Sequence, residues 1–169
     1  MIMTIENFFS QEEISFWNSF CEYTCNNKSN VSLVTGDKAN RVERKYYTLL
    51  NKYKFMEEVK HIAEKNFEEK LFYQPVTYGY IMHYDKPGVG LKWHSEPNIS
   101  AVSVSINISK DEEYEGAELQ FKNKKVRLAY NTAVFYRGDV LHRVTPLISG
   151  EKKSIVMWLP NKEKLCADS

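Results

Sequence analysis

His94, Ser95 and Glu96, then His142, then Lys152 and Ser154 are the residues of this chain whose types and spacing can do chemistry together. Positions i and i+2 of a strand project from one face, so His94 and Glu96 can offer an imidazole and a carboxylate to a single point. A second imidazole, His142, brought in on a distant strand, would complete a set covering one face of an octahedral ion. Two histidines and one carboxylate leave other positions open, as non-haem iron(II) oxygenases require, because a co-substrate and then oxygen must both bind. Lys152 follows His142 by ten residues, and Pro146 and Gly150 between them suit a turn that returns the chain as a neighbouring strand. On that strand Lys152, Ser154, Val156 and Trp158 share one face, and Lys153, Ile155, Met157 and Leu159 the other. An ammonium and a hydroxyl two residues apart on an inward face can clamp a carboxylate by charge and a directed hydrogen bond. A dicarboxylate would then chelate the metal at one end and be held by Lys152 and Ser154 at the other.

These residues need elements to position them. Ser10 and Glu13 form a capping box, with Phe9 and Ile14 placed as a hydrophobic staple, so a helix is expected from about Gln11. Ile14, Trp17 and Cys21 recur at helical spacing, Phe20 widens the stripe, and the helix should end near Asn26 and Asn27. Residues 27–46 are polar and carry Arg41, Arg44 and Lys45, which predicts a long loop with a short strand at Val31–Val34. A second helix is expected over Tyr53–Asn66, with Phe55, Met56, Val59, Ile62 and Ala63 on one face. From Leu71 the period becomes two, and the apolar or alternating runs are 71–84, 99–108, 117–121, 124–128, 132–136, 141–145 and 152–159. Many short strands in succession predict a sandwich, barrel or jelly roll.

Composition sets the bounds. At 169 residues, 43% hydrophobic and 27% charged, the chain fits one globular domain that buries roughly two-thirds of its unfolded surface. Its 23 basic and 22 acidic residues leave a net charge of +1, so there is no overall field to draw in nucleic acid. No run approaches the roughly 18 apolar residues of a membrane span, and MIMTIENFFS lacks the pattern of a signal peptide. A soluble, cytoplasmic protein is expected. Cys21, Cys25 and Cys166 show no paired metal-ligand spacing and read as reduced thiols.

Tyr84, Pro87 and Gly88, the H-x-E at His94, YEGAELQF and VFYRGDVLHRVTPLISGEKKSIVMWL together resemble the iron(II)/2-oxoglutarate prolyl 4-hydroxylase-like superfamily, especially its compact bacterial and phage members. The resemblance covers about residues 75–159. A histidine followed by V-x-P, then G-x-[RK]-x-S and a Trp, is its more specific part. It implies a mainly β fold with N-terminal helices, a double-stranded β-helix (jelly-roll, cupin-like) core over about 71–159, and helical support over about 10–70. It implies iron(II) on His94, Glu96 and His142, with 2-oxoglutarate as co-substrate and ascorbate as a further reductant. By position Tyr84 matches a tyrosine that contacts 2-oxoglutarate, Lys152 its salt-bridge base and Ser154 the adjacent hydroxyl donor, and Asn107 is the cavity candidate on its strand. The implied reaction hydroxylates a C–H bond with oxygen and releases succinate and carbon dioxide; a prolyl residue in a peptide or protein is the substrate by analogy.

Glu96 is a departure, since the family's usual carboxylate is the aspartate of H-x-D. The extra methylene still lets the acid reach a metal if strand or rotamer adjusts. Retention of a carboxylate argues against halogenation, which needs that position open for halide. The alternatives are hydroxylation of a free amino acid or small metabolite, and a jelly-roll module that holds a metal without turnover. His61 and His83 read as structural histidines, and Lys153 and the acidic run Asp111, Glu112, Glu113 and Glu115 as solvated surface. On Ser100–Ile108 the small polar positions Ser103, Ser105 and Asn107 meet either a cavity or water.

Overall fold

A computed structural model of the protein describes residues 1–27, 31–34, 44–48, 53–72 and 79–161. The chain opens with strand β1 (Ile2–Ile5), followed by helix α1 (Gln11–Asn27), strands β2 (Val31–Val34) and β3 (Arg44–Thr48) and helix α2 (Tyr53–Phe67). The capping box of Ser10 and Glu13 starts α1 where expected. The Ser10 amide donates to Glu13 Oε2 at 2.8 Å and the Glu13 amide to Ser10 Oγ at 3.2 Å, so two amides that the helix leaves orphaned are satisfied reciprocally.

The remaining strands are β4 (Gly79–Tyr84), β5 (Leu91–His94), β6 (Val102–Asn107), β7 (Tyr114–Gly116), β8 (Leu119–Phe121), β9 (Thr132–Arg137), β10 (His142–Val144), β11 (Leu147–Gly150) and β12 (Lys152–Leu159). They form a seven-stranded sheet ordered β1-β9-β6-β12-β4-β3-β2, a three-stranded sheet β5-β10-β8 and a two-stranded sheet β11-β7. Mostly sheet with few helices, this is the mainly β, jelly-roll architecture expected.

Alternation on the large sheet divides the interior in two. Ile81, Val104, Ile106, Phe135, Ile155 and Met157 turn toward α1 and α2, where Ile14, Trp17, Cys21, Met56 and Val59 close a fully buried core. Met82, Tyr84, Val134 and Tyr136 turn the other way and meet Leu91, Leu119, Phe121 and Val144 of the three-stranded sheet. The site lies in this second layer, which β12 commands through its pairing with both β4 and β6.

Several local expectations give way to pairing. Arg44 and Lys45 lie in β3, paired with β2 and β4, not in a loop. Arg41 and Cys166 fall outside the described residues. Strand β1 exists because Ile2, Met3, Thr4 and Ile5 find an edge at β9, and β11 because it finds β7. Residues 124–128 form no strand: one bridge joins Lys124 to Phe121, and the segment's polar contacts go elsewhere. Lys124 reaches the Ile2 carbonyl, Arg127 pairs with Asp111, and the Leu128 carbonyl accepts from Asn107. Among the described residues no helix is long and apolar enough to cross a membrane.

Candidate active site

Antiparallel pairing of β5 with β10 sets His94 directly opposite His142, with ring centroids 4.3 Å apart. His94 Nδ1 lies 2.7 Å from the Lys92 carbonyl oxygen and His142 Nδ1 2.9 Å from that of Val140. A carbonyl only accepts, so each Nδ1 carries the proton and donates. Both Nε2 lone pairs are therefore presented to the cavity, which is how a metal-ligating histidine is oriented.

Glu96 does not stand in the strand as the i, i+2 argument assumed, because β5 ends at His94. Its amide donates to the Gly138 carbonyl at 2.6 Å, and its carbonyl accepts from the Ser100 amide at 3.0 Å. This approach depends on Gly138: a Cβ there would lie 1.9 Å from the Ser100 carbonyl oxygen, a contact no side chain can make. From this position the longer acid reaches the histidines, with Oε1 3.6 Å from His94 Nε2. The ligand atoms of His94, Glu96 and His142 all lie within 4.8 Å of one another.

The second carboxylate oxygen is held back. Trp158 Nε1 donates to Glu96 Oε2 at 2.5 Å, and Ser103 Oγ lies 3.4 Å from the same atom while reaching Ser100 Oγ at 3.0 Å. Burial by itself pushes the Glu96 carboxyl up, but the close approach of His94, the fields of His142 and His94 and the Trp158 donor outweigh it, leaving the group below its ordinary value. Glu96 is thus an anion aimed by Oε1. Alternation had placed Trp158 on this face; nothing in the sequence signalled that its indole, or Ser103, would fix the acid. Trp158→Phe keeps an aromatic ring at the position and deletes the indole donor, so metal affinity should drop about 10–100-fold, the usual consequence of losing a partner behind a ligand. A metal titration followed by calorimetry checks it; unchanged affinity would leave the indole with a packing role only.

The cavity in front of this cluster is small, about 40 Å³, and is lined also by Met82, Tyr84, Leu91, Ser105, Leu119, Tyr136, Val144, Lys152, Ser154 and Val156. Lys152, Ser154, Val156 and Trp158 do share its face, and Lys152 stands opposite Tyr84 across the ladder. The Lys152 amine is buried and donates to the Ala117 carbonyl at 2.6 Å. Desolvation lowers its pKa to about 8, against the opposing fields of Glu118 and Asp111. Ser105 faces the cavity, whereas Asn107 does not line it. Fully buried, Asn107 donates to the Leu128 carbonyl at 3.0 Å and to the Tyr114 hydroxyl at 3.2 Å. His83 sits away from the cluster with Nε2 3.0 Å from Glu151 Oε2, and His61 is exposed.

Two imidazoles and one carboxylate on one side of a pocket suit a divalent iron that needs free positions, and a buried cation across the same pocket suits a second carboxylate. No family model matches the chain. A PKHD-type hydroxylase of Hyphomonas neptunium is 35% identical over 89 residues, which is 50% of this chain and 39% of the relative. In fold, the chain superimposes on a prolyl hydroxylase from Trichoplax adhaerens, solved with a peptide fragment of hypoxia inducible factor, with TM-score 0.70 and 13% identity over 99% of this chain and 87% of that one. It superimposes on SnoN, a non-haem α-ketoglutarate-dependent epimerase of nogalamycin biosynthesis, with TM-score 0.73 and 8% identity over 95% and 77% of the two chains. Fold and cluster together are similar to those of the iron(II)/2-oxoglutarate oxygenases, the likeness expected from the sequence. Within that class the sequence similarity runs to the PKHD-type hydroxylases, of whose length this chain spans well under two-thirds.

Proposed function

We propose that the chain is an iron(II)- and 2-oxoglutarate-dependent dioxygenase that hydroxylates a C–H bond, that of a prolyl residue in a peptide or protein. The observation that carries the reading is one cavity with His94, Glu96 and His142 converging on one side and Lys152 with Ser154 lining it too. In this reading His94 Nε2, His142 Nε2 and Glu96 Oε1 hold the iron on one face and leave the other face to co-substrate and oxygen. When bound there, iron(II) supplies the redox chemistry that couples oxidative decarboxylation of 2-oxoglutarate to hydroxylation, giving succinate and carbon dioxide. Lys152 and Ser154 take the distal carboxylate, and Tyr84 borders it. Met82, Leu91, Val144 and Val156 keep water from the pocket, strengthening each charge pairing within it.

Hydroxylation rests on the PKHD-type relative, and the peptide substrate on the peptide-bound prolyl hydroxylase neighbour. A small-molecule substrate is the second reading, favoured by the fold's equal likeness to SnoN. Anaerobic addition of iron(II) and 2-oxoglutarate should produce a visible charge-transfer band and raise the melting temperature; a colourless, unshifted protein would leave a non-catalytic module. Succinate release in the presence of Pro-containing peptides, free proline or other small metabolites then separates the two substrate classes.

A further inference from the structure

Behind Lys152 lies a groove of about 840 Å³, far larger than the catalytic cavity, lined by β8 and by residues 124–128, which a single bridge, Lys124 to Phe121, ties to that strand. Lys152 and Leu119 line both spaces. Tyr114 lines the groove but not the cavity, and its ring lies 5.0 Å from the Lys152 amine. The ring is braced from the large sheet, because its hydroxyl accepts from Asn107 Nδ2, and Asn107 is itself fixed by the Leu128 carbonyl and the Ser109 amide.

Resting on the oxygenase reading, we infer that Tyr114 is the stop that sets the length of the keto acid this pocket accepts. The metal end is immobile, since His94 and His142 belong to paired strands and Glu96 is held through Trp158. A cavity of about 40 Å³ has room for a few waters at most, at roughly 10–15 Å³ of such space for each, and not for a ten-heavy-atom diacid. Accommodating the acid requires the Lys152 amine to leave the Ala117 carbonyl for the distal carboxylate. The room so opened ends at the Tyr114 ring. A chain one methylene longer would have to displace that ring from its bond with Asn107 or fold back on itself. Without the ring, pocket and groove become continuous, and Lys125, which lines the groove, can meet a carboxylate that projects through.

The test is calorimetric titration of the manganese(II)-loaded protein with 2-oxoglutarate and with 2-oxoadipate, its homologue longer by one methylene; it needs no turnover. Wild-type protein should prefer 2-oxoglutarate by about tenfold or more, the discrimination a closed pocket exerts on one methylene. In Tyr114→Ala the preference should shrink to about threefold or less, the loss of a one-methylene sieve. Tyr114→Val, whose β-branched side chain suits a strand, should fall between and serves if the alanine variant melts early. Tyr114→Phe should keep the wild-type ratio, because the ring and not the hydroxyl is the stop. An unchanged ratio in both truncated variants, or equal binding of the two acids by wild type, overturns the inference while leaving the oxygenase reading intact. Failure of wild type to bind 2-oxoglutarate at all overturns both.

Discussion

Glu96→Ala should reduce metal affinity by more than about 100-fold, since even partners standing behind a ligand command 10–100-fold, and should abolish turnover. The loss is expected to exceed a simple vacancy because the carboxylate is held from both ends. Oε1 faces the histidines while Oε2 accepts from Trp158 and Ser103. Truncation leaves a buried indole N–H without its acceptor and takes the one anionic donor from beside the two imidazoles, so any residual metal is held by two ligands. Glu96→Gln separates charge from shape: the amide oxygen still accepts from Trp158, so the fold should melt normally while metal binding remains weak. Glu96→Asp retains the charge but withdraws it by one methylene from a position already beyond the end of β5, so partial activity is expected. Metal titrations and succinate release on the three variants decide the matter. Full activity in the alanine variant would remove Glu96 from the ligand set.

Lys152→Met should move stability and binding in opposite directions. The Lys152 amine has the Ala117 carbonyl and the face of the Tyr114 ring for its charge and a pKa lowered to about 8 by desolvation, which corresponds to about 3 kcal/mol disfavouring the charged form. A lysine whose folded pKa is depressed destabilises the protein fully below about pH 8, and the penalty fades as pH rises toward the ordinary lysine value. Methionine removes the penalty but leaves the Ala117 carbonyl without its donor, which costs about 1–3 kcal/mol. A net rise of roughly 2–4 °C in melting temperature near neutral pH follows for a chain of this size. Binding of 2-oxoglutarate should instead weaken by about 100-fold or more, because one partner of a buried charge pair is worth about 3–5 kcal/mol when removed. Wild-type affinity should also fall about tenfold per pH unit above about 8, as the amine loses its proton, and Lys152→Met should show no such slope. Unaltered 2-oxoglutarate affinity in the variant would take the distal carboxylate away from Lys152.

The legible parts of the site were those governed by local period. Alternation along β12 assigned Lys152, Ser154, Val156 and Trp158 to one face, and all four line the cavity. The capping box started α1 at Gln11, and the apolar stripe of α2 predicted a helix within one residue of its length. His94, Glu96 and His142 were named together from residue type and spacing, and their ligand atoms cluster. The same reasoning failed where a partner strand decided. Residues 124–128 alternate like a strand but found no ladder, while 44–46 are as polar as a loop and lie in β3 because β2 and β4 flank them.

The order of polar and apolar residues therefore determined, without any structure, the mainly β architecture with its helical support, the donor types available to a metal and the basic end of the pocket. Tertiary structure alone decided that Glu96 works from beyond the strand, that Trp158 and Ser103 aim it, that Asn107 braces Tyr114 and that a groove opens behind Lys152. The reason is range. Strand period acts between residues two apart and is written in the chain, whereas each of those contacts joins segments whose approach depends on which strands pair, and pairing is settled by the whole fold at once.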